Sequence, residues 1–168
     1  ARTAASEGWF DDEIVSIEIP QRKGDPVIIS ADEEPLKAKF DKIPKLRPAF
    51  KKDGTITAAN ASKLNDGASA LVLMSESAAK ERGLKPLARL HGRGTFAQEP
   101  QLFTTAPAEA IRKAIAQSQV DGANLSLQDI DLFEINEAFA VVAVANIKLL
   151  EIEADRVNIN GGAVALGH

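Results

Sequence analysis

The segment at residues 137–150 constrains the fold more than any other part of the chain, because it is apolar on nearly every side. The spacing of its apolar residues predicts an α-helix. A helix with so little polar surface is stable only when neighbouring layers bury it on several sides. The sequence therefore predicts a layered protein in which this helix lies in the interior.

Predicted strands and helices alternate along the chain from residue 55 onward. Apolar runs predict strands at residues 68–74, 87–90, 130–135 and 157–159. Two further helices are predicted at residues 75–83 and 107–115, the first ended by a glycine and the second opened by a proline. This alternation indicates an α/β unit whose sheet is largely enclosed by helices.

The first 54 residues have a different composition. Apolar residues at helical spacing predict a helix within residues 1–10 that opens without a capping residue, as expected for a helix that begins upstream. Two short apolar stretches, at residues 14–19 and 27–29, flank a turn with glycine and proline and predict a hairpin. Residues 31–53 are dense in charge and proline, which indicates an irregular surface segment and a boundary near residue 54.

Charge and composition exclude several classes of partner and site. The 24 acidic and 20 basic residues give a net charge of −4, which argues against nucleic acid as a partner. No apolar run approaches the roughly 18 residues that a membrane-spanning helix needs, so no membrane partner is expected. The absence of cysteine excludes disulfides and argues against a structural zinc site, since His91 and His168 are the only imidazoles.

The sequence carries no recognisable targeting signal at its first residues. The expected location is the cytoplasm, with mitochondria or peroxisomes as alternatives in a eukaryote.

Asn136 and His168 are the strongest candidates for chemistry. Asn136 follows a predicted strand and precedes the apolar helix, where it either caps the helix or positions a water or an oxyanion. Glu137, beside it, either stabilises the helix dipole or takes part in the site. His168 ends the loop at residues 161–167, whose glycines let a ligand approach the backbone closely, so it is a candidate base.

Three other features have both a structural and a functional interpretation. His91, at the end of a predicted strand, is expected to be a surface or packing residue. The polar cluster at residues 60–67 fits either a tight turn or the edge of a ligand site. Basic side chains in the first 50 residues form either a solvated face or a contact to a nucleotide phosphate. These basic residues are Arg22, Lys23, Lys37, Lys39, Lys42, Lys45 and Arg47.

Four stretches of the sequence, taken together, resemble the thiolase family. The stretch Asn136-Glu137-Ala138-Phe139 and residues 158–168 resemble two signature blocks of that family, in the same order and at a similar separation. Residues 7–15 and 57–68 resemble thiolases of the acetyl-CoA acetyltransferase branch. The resemblance covers the whole chain.

The resemblance implies an α/β fold with five layers, α-β-α-β-α, in which a loop domain folds over coenzyme A (CoA). Residues 1–54 resemble the end of that loop domain and its return segment, and residues 55–168 resemble the first half of the C-terminal domain. The chain is then expected to be an internal fragment, with the acylated cysteine upstream and a second, acid-base cysteine downstream. Without either cysteine, the isolated chain is expected to be inactive.

The activity implied by the resemblance is acyl transfer through an acyl-cysteine. Thiolases condense two acetyl-CoA molecules to acetoacetyl-CoA, or cleave a 3-ketoacyl-CoA with CoA. His168 corresponds to the base that deprotonates the cysteine and to a donor facing the thioester oxygen, and Asn136 to the residue that holds a water in the same oxyanion hole. No cofactor is required beyond the CoA substrates, and a homo-oligomer, dimer or tetramer, is expected for the full-length protein.

The resemblance also implies a binding wall for CoA. Ser62 corresponds to the serine that contacts the pantetheine chain, and Lys37 is a candidate for the nucleotide phosphate. The other wall positions are Ala58, Leu64, Phe103, Ala138 and Phe139.

A potassium site is implied by comparison with one branch of the family. Ala58, Ala59 and Ala61 correspond to carbonyls that bind potassium there. In that branch proline follows the phenylalanine that corresponds to Phe103, whereas this chain has Thr104. Potassium use and acyl-chain preference therefore stay open.

Two alternatives to a self-contained enzyme follow from the lack of cysteine. One is a non-catalytic acyl-CoA-binding or scaffold protein with a thiolase-derived fold. The other is a split enzyme in which a complementary chain supplies both cysteines. A cysteine-bearing segment upstream and a second one downstream would favour the enzyme.

Overall fold

The computed structural model describes all 168 residues. The helices are α1 (Arg2–Ser6), α2 (Glu34–Lys37), α3 (Glu76–Glu81), α4 (Ala106–Ala116), α5 (Ala140–Leu150) and α6 (Ala163–Leu166). The strands are β1 (Ile17–Ile19), β2 (Val27–Ile29), β3 (Gln119–Val120) and β4 (Ala123–Asn124). Turns of 3₁₀ helix lie at Phe40–Lys45, Pro100–Thr105, Leu127–Asp129 and Ala154–Arg156. None of the helices has the length and apolar character needed to cross a membrane.

The predicted hairpin in the first 54 residues is confirmed. β1 and β2 pair antiparallel, with Ile17 opposite Ile29 and Ile19 opposite Val27. Gly24 lies in the connecting turn with a φ of 85°. Residues with a side chain rarely adopt this backbone conformation, so glycine is the residue that suits the turn.

Arg2 joins the N-terminal helix to the segment around α2. Its guanidinium donates to the carbonyl of Pro35 at 2.5 Å, and to those of Leu36 and Ala38 at 3.1 and 2.9 Å. Helix α1 has no side-chain cap at its start, and it ends at Ser6. The helix predicted within residues 1–10 is therefore shorter than its apolar spacing indicated.

The buried core lies in the second half of the chain, around α5. This helix packs against α4 and against the 3₁₀ turn at Pro100–Thr105. The buried apolar side chains of the core are Ala108, Phe133, Ile135, Val142, Leu150, Ile152 and Val157. Val141 and Val144, on the other side of α5, are exposed. Within these residues the apolar helix is buried on one side only.

Helix α5 begins later than predicted. Phe139 has an extended backbone, with φ −138° and ψ 154°, and pairs antiparallel with Ala61. This pairing keeps the preceding residues extended, so the first helical residue is Ala140. The interpretation of Asn136 as the N-cap is therefore wrong, and Glu137 does not lie in the first helical turn.

Two of the four predicted strands have no partner in the structure. Residues 68–74 and 87–90 make no backbone hydrogen bonds to other segments. Leu71 is 86% exposed and Leu87 is 102% exposed. An apolar run indicates a preference for burial, but a strand also requires a neighbour whose backbone donors and acceptors match its own. The prediction of strands at these two segments is wrong for this chain taken alone.

The other two predicted strands meet as a single parallel bridge between Phe133 and Val157. The side chain of Asn158 extends this pairing, because its Oδ1 accepts from the Ile135 amide at 2.8 Å and its Nδ2 donates to the Ile135 carbonyl at 2.9 Å. Since the two segments run parallel, the chain leaves both of them at the same end. The candidate catalytic residues lie at that end.

Candidate active site

The side chains of His168 and Asn136 are in direct contact, with 2.7 Å between Nδ1 of the histidine and Oδ1 of the asparagine. An amide oxygen only accepts hydrogen bonds, so Nδ1 is the donor and carries the hydrogen. The other ring nitrogen, Nε2, then has a free lone pair in the neutral imidazole. Both residues are exposed.

Glu137 holds the loop that leads to His168. Its Oε1 accepts from Nδ2 of Asn158 at 2.8 Å, and its Oε2 accepts from the backbone amide of Val164 at 3.1 Å. Gly162 passes so close that a Cβ atom there would lie 2.5 Å from the Glu137 carboxyl group. The sequence allowed either a helix-dipole role or a place in the site for Glu137. In the structure its carboxyl group binds Asn158 and Val164, which belong to the loop that leads to His168.

Ser62 and two predicted wall positions are brought side by side by an antiparallel bridge. The Ser62 amide donates to the carbonyl of Ala138 at 3.1 Å, and the Ala140 amide donates to the carbonyl of Asn60 at 2.8 Å. The bridge pairs Ala61 with Phe139. The polar cluster at residues 60–67 thus borders the candidate site, which agrees with its interpretation as the edge of a ligand site.

The same polar segment also contacts the loop that ends at His168. The Lys63 amide donates to the Ala163 carbonyl at 3.3 Å, and the His168 amide donates to the Lys63 carbonyl at 3.3 Å. Nδ2 of Asn65 donates to the Leu166 carbonyl at 2.5 Å. Lys63 therefore fixes the backbone of the histidine, a role that no local sequence pattern indicated.

Aromatic rings form part of the predicted wall. The Phe139 ring lies 6.4 Å from the Phe103 ring and 6.0 Å from the Phe50 ring, which meets it edge to face. Phe50 was not predicted, because it lies in the irregular proline-rich segment where no periodicity places it. Leu64 is 101% exposed and is not packed against these rings.

A cavity of about 630 Å³ lies beside this wall and is lined by basic side chains. Ala58, Ala59 and the start of α6 form one side, and α1 with the region of α2 forms the other. The basic residues that line it are Arg2, Lys37, Lys39, Lys42 and Lys63. The sequence did not single out Arg2, whose position depends on how α1 packs.

Lys37, the predicted contact for the nucleotide phosphate, already has two carboxylate partners. Its Nζ lies 3.1 Å from Oε2 of Glu33 and 3.4 Å from Oε1 of Glu34. The hydrogen bond to Glu33 is the main reason why the pKa of Lys37 is raised above its usual value. Lys39 and Lys42 line the same cavity, and neither forms an ion pair.

The carbonyls predicted to bind potassium are not all open to an ion. Nζ of Lys63 donates to the carbonyl of Ala58 at 2.6 Å. The carbonyls of Ala59 and Ala61 accept no hydrogen bond. An ammonium group in contact with one of the three oxygens puts a positive charge where the ion would sit, and like charges at such a distance repel. The residues present do not fit a potassium ion.

The second histidine lies outside this site. His91 is exposed, and its Nδ1 lies 2.8 Å from the backbone carbonyl of Gln119 in β3.

Family models match both halves of the chain. The model described as "Thiolase, N-terminal domain" matches residues 1–77, and the model described as "Thiolase, C-terminal domain" matches residues 84–168.

Two proteins with similar sequences carry acetyltransferase names. A "Probable acetyl-CoA acetyltransferase" of Dictyostelium discoideum is 56% identical over 168 residues, which are 100% of this chain and 39% of that protein. The "Acetyl-CoA acetyltransferase" of Schizosaccharomyces pombe is 51% identical over 169 residues, covering 100% of this chain and 42% of that protein. The chain thus spans about two fifths of the length of these relatives.

Two solved structures are similar over the same extent. The Bacillus anthracis acetyl-CoA acetyltransferase is 47% identical, with a TM-score of 0.89, and is matched over 100% of this chain and 41% of its own. The human mitochondrial 3-ketoacyl-CoA thiolase is 40% identical, with a TM-score of 0.87, over 99% of this chain and 41% of its own. These structures confirm the predicted thiolase-like α/β fold. The chain belongs to the thiolase family.

Proposed function

We propose that the protein is an acyltransferase of the thiolase type, which condenses two acetyl-CoA molecules to acetoacetyl-CoA or cleaves a 3-ketoacyl-CoA by thiolysis. The contact between His168 and Asn136 carries the proposal, because it leaves Nε2 of the imidazole free to accept a proton. The names of the relatives at 56% and 51% identity support the choice of reaction.

The first half-reaction forms an acyl-cysteine. Nε2 of His168 takes the proton from a cysteine thiol, and the thiolate attacks the carbonyl carbon of the acyl-CoA thioester. While Nε2 holds this proton, it donates to the thioester oxygen as negative charge develops there. The bond from the carbonyl carbon to the CoA sulfur then breaks, and CoA leaves with the proton. The thiol comes from outside these 168 residues, which contain no cysteine.

The second half-reaction joins carbon to carbon. A base, proposed to be a second cysteine outside these residues, removes a proton from the methyl group of acetyl-CoA. The resulting carbanion attacks the acyl carbon, and the bond to the cysteine sulfur breaks. The proton held by the base then returns to that sulfur, which restores both groups. Asn136 supports the oxyanion site, because its Oδ1 is engaged by His168 while its Nδ2 makes no hydrogen bond and is free to hold a water.

CoA is proposed to bind between the polar segment and the aromatic wall. Ser62 contacts the pantetheine chain beside Ala138, Phe139 and Phe103, with Ala58 at the edge of the basic cavity. The nucleotide phosphates then occupy that cavity, where Lys39 and Lys42 supply positive charge besides Lys37, which shares its charge with two carboxylates. Leu64 as a wall residue stays a prediction.

Several broader features belong to the same proposal. No bound cofactor takes part, the substrates being CoA, acetyl-CoA and acetoacetyl-CoA. The full-length protein is a homo-oligomer, dimer or tetramer, located in the cytoplasm or, in a eukaryote, in mitochondria or peroxisomes. In the same proposal, residues 1–54 form the end of the loop domain and its return segment, and residues 55–168 form the first half of the C-terminal domain.

A second candidate function is acyl-CoA binding without turnover. The observation that favours it is the absence of cysteine, since no residue of this chain can carry the acyl group as a thioester. A split enzyme with a complementary chain would share the absence but would regain activity when that chain is added.

The test is the thiolysis of acetoacetyl-CoA by the full-length protein and by His168→Ala. We expect His168→Ala to lower turnover by about 10²- to 10⁴-fold, the usual effect of losing a general base, with the affinity for CoA nearly unchanged. His91→Ala is the matched control, because His91 is exposed and its hydrogen bond goes to Gln119, away from the site. A His168→Ala rate within a few-fold of the parent would exclude the base role. CoA binding without any turnover by the parent protein would favour the second candidate.

A further inference from the structure

The loop at residues 57–61 exposes an unusual group of backbone carbonyls. Asn60 closes the loop, since its Oδ1 accepts from the Thr57 amide at 2.7 Å and its Nδ2 donates to the Thr55 carbonyl at 3.0 Å. The carbonyls of Ala59 and Ala61 accept no hydrogen bond, whereas that of Ala58 accepts from Nζ of Lys63 at 2.6 Å. A carbonyl dipole that accepts no backbone hydrogen bond is stabilised by a nearby positive charge.

We propose that the ammonium group of Lys63 is a built-in cation that takes the place of a monovalent metal ion at this loop. It is a compact charge with three hydrogen-bond donors, as suits a small group of carbonyl oxygens. Because Lys63 is only five positions from Ala58 in the chain, the effective local concentration of its ammonium group is on the order of millimolar or higher. A free ion would have to displace this tethered charge and also lose part of its hydration shell.

The same residue connects the carbonyl loop to the candidate base. The backbone of Lys63 donates to Ala163 and accepts from the amide of His168, each at 3.3 Å. The backbone of Lys63 thus joins the carbonyl loop to the segment that ends at His168. The inference concerns cation dependence alone and holds whether or not the proposed acyl transfer is correct.

The first experiment measures the melting temperature of the full-length protein in chloride salts of potassium, sodium and a bulky organic cation at equal ionic strength. We expect the same Tm in all three, because the lysine already supplies the charge. A rise in Tm specific to potassium in the unsubstituted protein would overturn the proposal.

The second experiment repeats the series with Lys63→Met, which keeps most of the side-chain length but removes the charge and the donors. We expect a lower Tm that recovers by several degrees, saturably, in potassium but not in the organic cation. Lys42→Met is the matched control, because Lys42 lines the same cavity and its side chain makes no hydrogen bond. Its Tm is expected to be independent of the cation. If Lys63→Met shows no potassium dependence, or matches Lys42→Met, the proposal is wrong.

A milder variant covers the case in which Lys63→Met does not fold. Lys63→Gln keeps a donor of similar reach without the charge, and we expect its Tm to depend on potassium. Equal Tm values for Lys63→Gln in all three salts would contradict the proposal, as would potassium dependence in the unsubstituted protein.

Discussion

At the scale of single residues, the carboxylate of Glu137 connects segments that lie 21 and 27 residues further along the chain. One oxygen binds Asn158, which sits in the left-handed backbone region with φ 50°, and the other binds Val164 at the start of α6. Both partners are hydrogen-bond donors, so the clamp requires two acceptors from one side chain. A carboxylate provides them, and an amide does not.

Glu137→Gln is therefore expected to weaken the clamp at nearly constant volume. The amide would turn its NH₂ group towards either Asn158 or Val164, and a donor would then face a donor. We expect the unfolding free energy of the full-length protein to fall by about 1–3 kcal/mol, and turnover to fall because the loop to His168 loosens. Denaturant titration and thiolysis rates give the two measurements.

Glu134→Gln is the control for that change. Glu134 is exposed and makes no hydrogen bond or ion pair, so its substitution should shift stability by less than about 0.5 kcal/mol. If the two variants are equally stable, Glu137 does not act as a clamp.

The sequence located Asn136 and His168 better than it explained their surroundings. Asn136 directly follows one predicted strand, and His168 ends the loop that follows the next one. Such ends meet in parallel sheets, so the local pattern places both residues at the same end of the pair. The contacts of Lys63 with Ala163 and His168 join positions about a hundred residues apart, and no periodicity encodes them. Phe50 was missed for the same reason, since its position depends on packing against Phe139.

At the scale of elements, Asn146 fastens α5 to the neighbouring 3₁₀ turn that carries Phe103. Its side chain is fully buried, and its Nδ2 donates to the Thr104 carbonyl at 2.8 Å and to the Val142 carbonyl at 2.6 Å. Its Oδ1 has no partner. The two carbonyls that face Nδ2 are acceptors, so only a hydrogen-bond donor fits at this position.

Asn146→Asp is expected to turn this attractive contact into a repulsive one. An ionised carboxylate would face two carbonyl oxygens in a buried position, and an unpaired buried charge costs about 3–5 kcal/mol. Burial raises the pKa of this carboxyl above its unfolded value of about 4. The folded state therefore binds more protons than the unfolded state, and stability falls as the pH rises from the unfolded pKa to the raised folded pKa. Denaturant titrations between about pH 4 and 7 should show that the variant regains unfolding free energy at low pH.

Asn146→Leu separates the charge from the loss of the hydrogen bonds. It has similar volume and no ionisable group, so its stability deficit should be smaller, about 1–3 kcal/mol, and independent of pH. Equal deficits for the two variants at neutral pH would show that the carboxylate finds a partner.

The sequence predicted helices and strands correctly where neighbouring residues determine them. It failed where a segment distant in sequence determines them. Helix α3 is preceded by the cap Ser75, whose Oγ accepts from the Ala78 amide, and it ends two residues before Gly83, which has φ 64°. Both ends are therefore determined by neighbouring residues. The start of α5 depends instead on the bridge between Phe139 and Ala61. The apolar run at residues 68–74 was predicted as a strand, but pairing needs a second backbone that apolar spacing does not specify.

At the scale of the whole molecule, the 168-residue chain exposes many large apolar side chains. Val72 and Leu73 are 85% and 80% exposed and belong to an extended segment without backbone partners. Covering each such side chain contributes about 1.5–3 kcal/mol, so their exposure removes a large share of the stability that a domain normally has.

The isolated chain is therefore expected to melt without a cooperative transition and to bind a hydrophobic dye, as calorimetry and fluorescence can show. It should also give no thiolysis of acetoacetyl-CoA, because it contains no cysteine. A soluble monomer with a sharp melting transition would contradict the expected instability. Measurable cleavage by the purified chain would contradict the need for an external thiol.

The parallel bridge between Phe133 and Val157 has a kinetic consequence. Ile135 and Asn158 are 23 residues apart along the chain, with α5 between them, whereas Asn65 and Leu166 are 101 residues apart. Closing the longer loop costs on the order of 1 kcal/mol more in chain entropy. Folding should then nucleate around the strand–helix–strand unit, which orders Asn136 and the turn at Asn158 early. We expect His168 to reach its final place only when the distant polar segment docks, so the candidate site should form later than the strand–helix–strand unit.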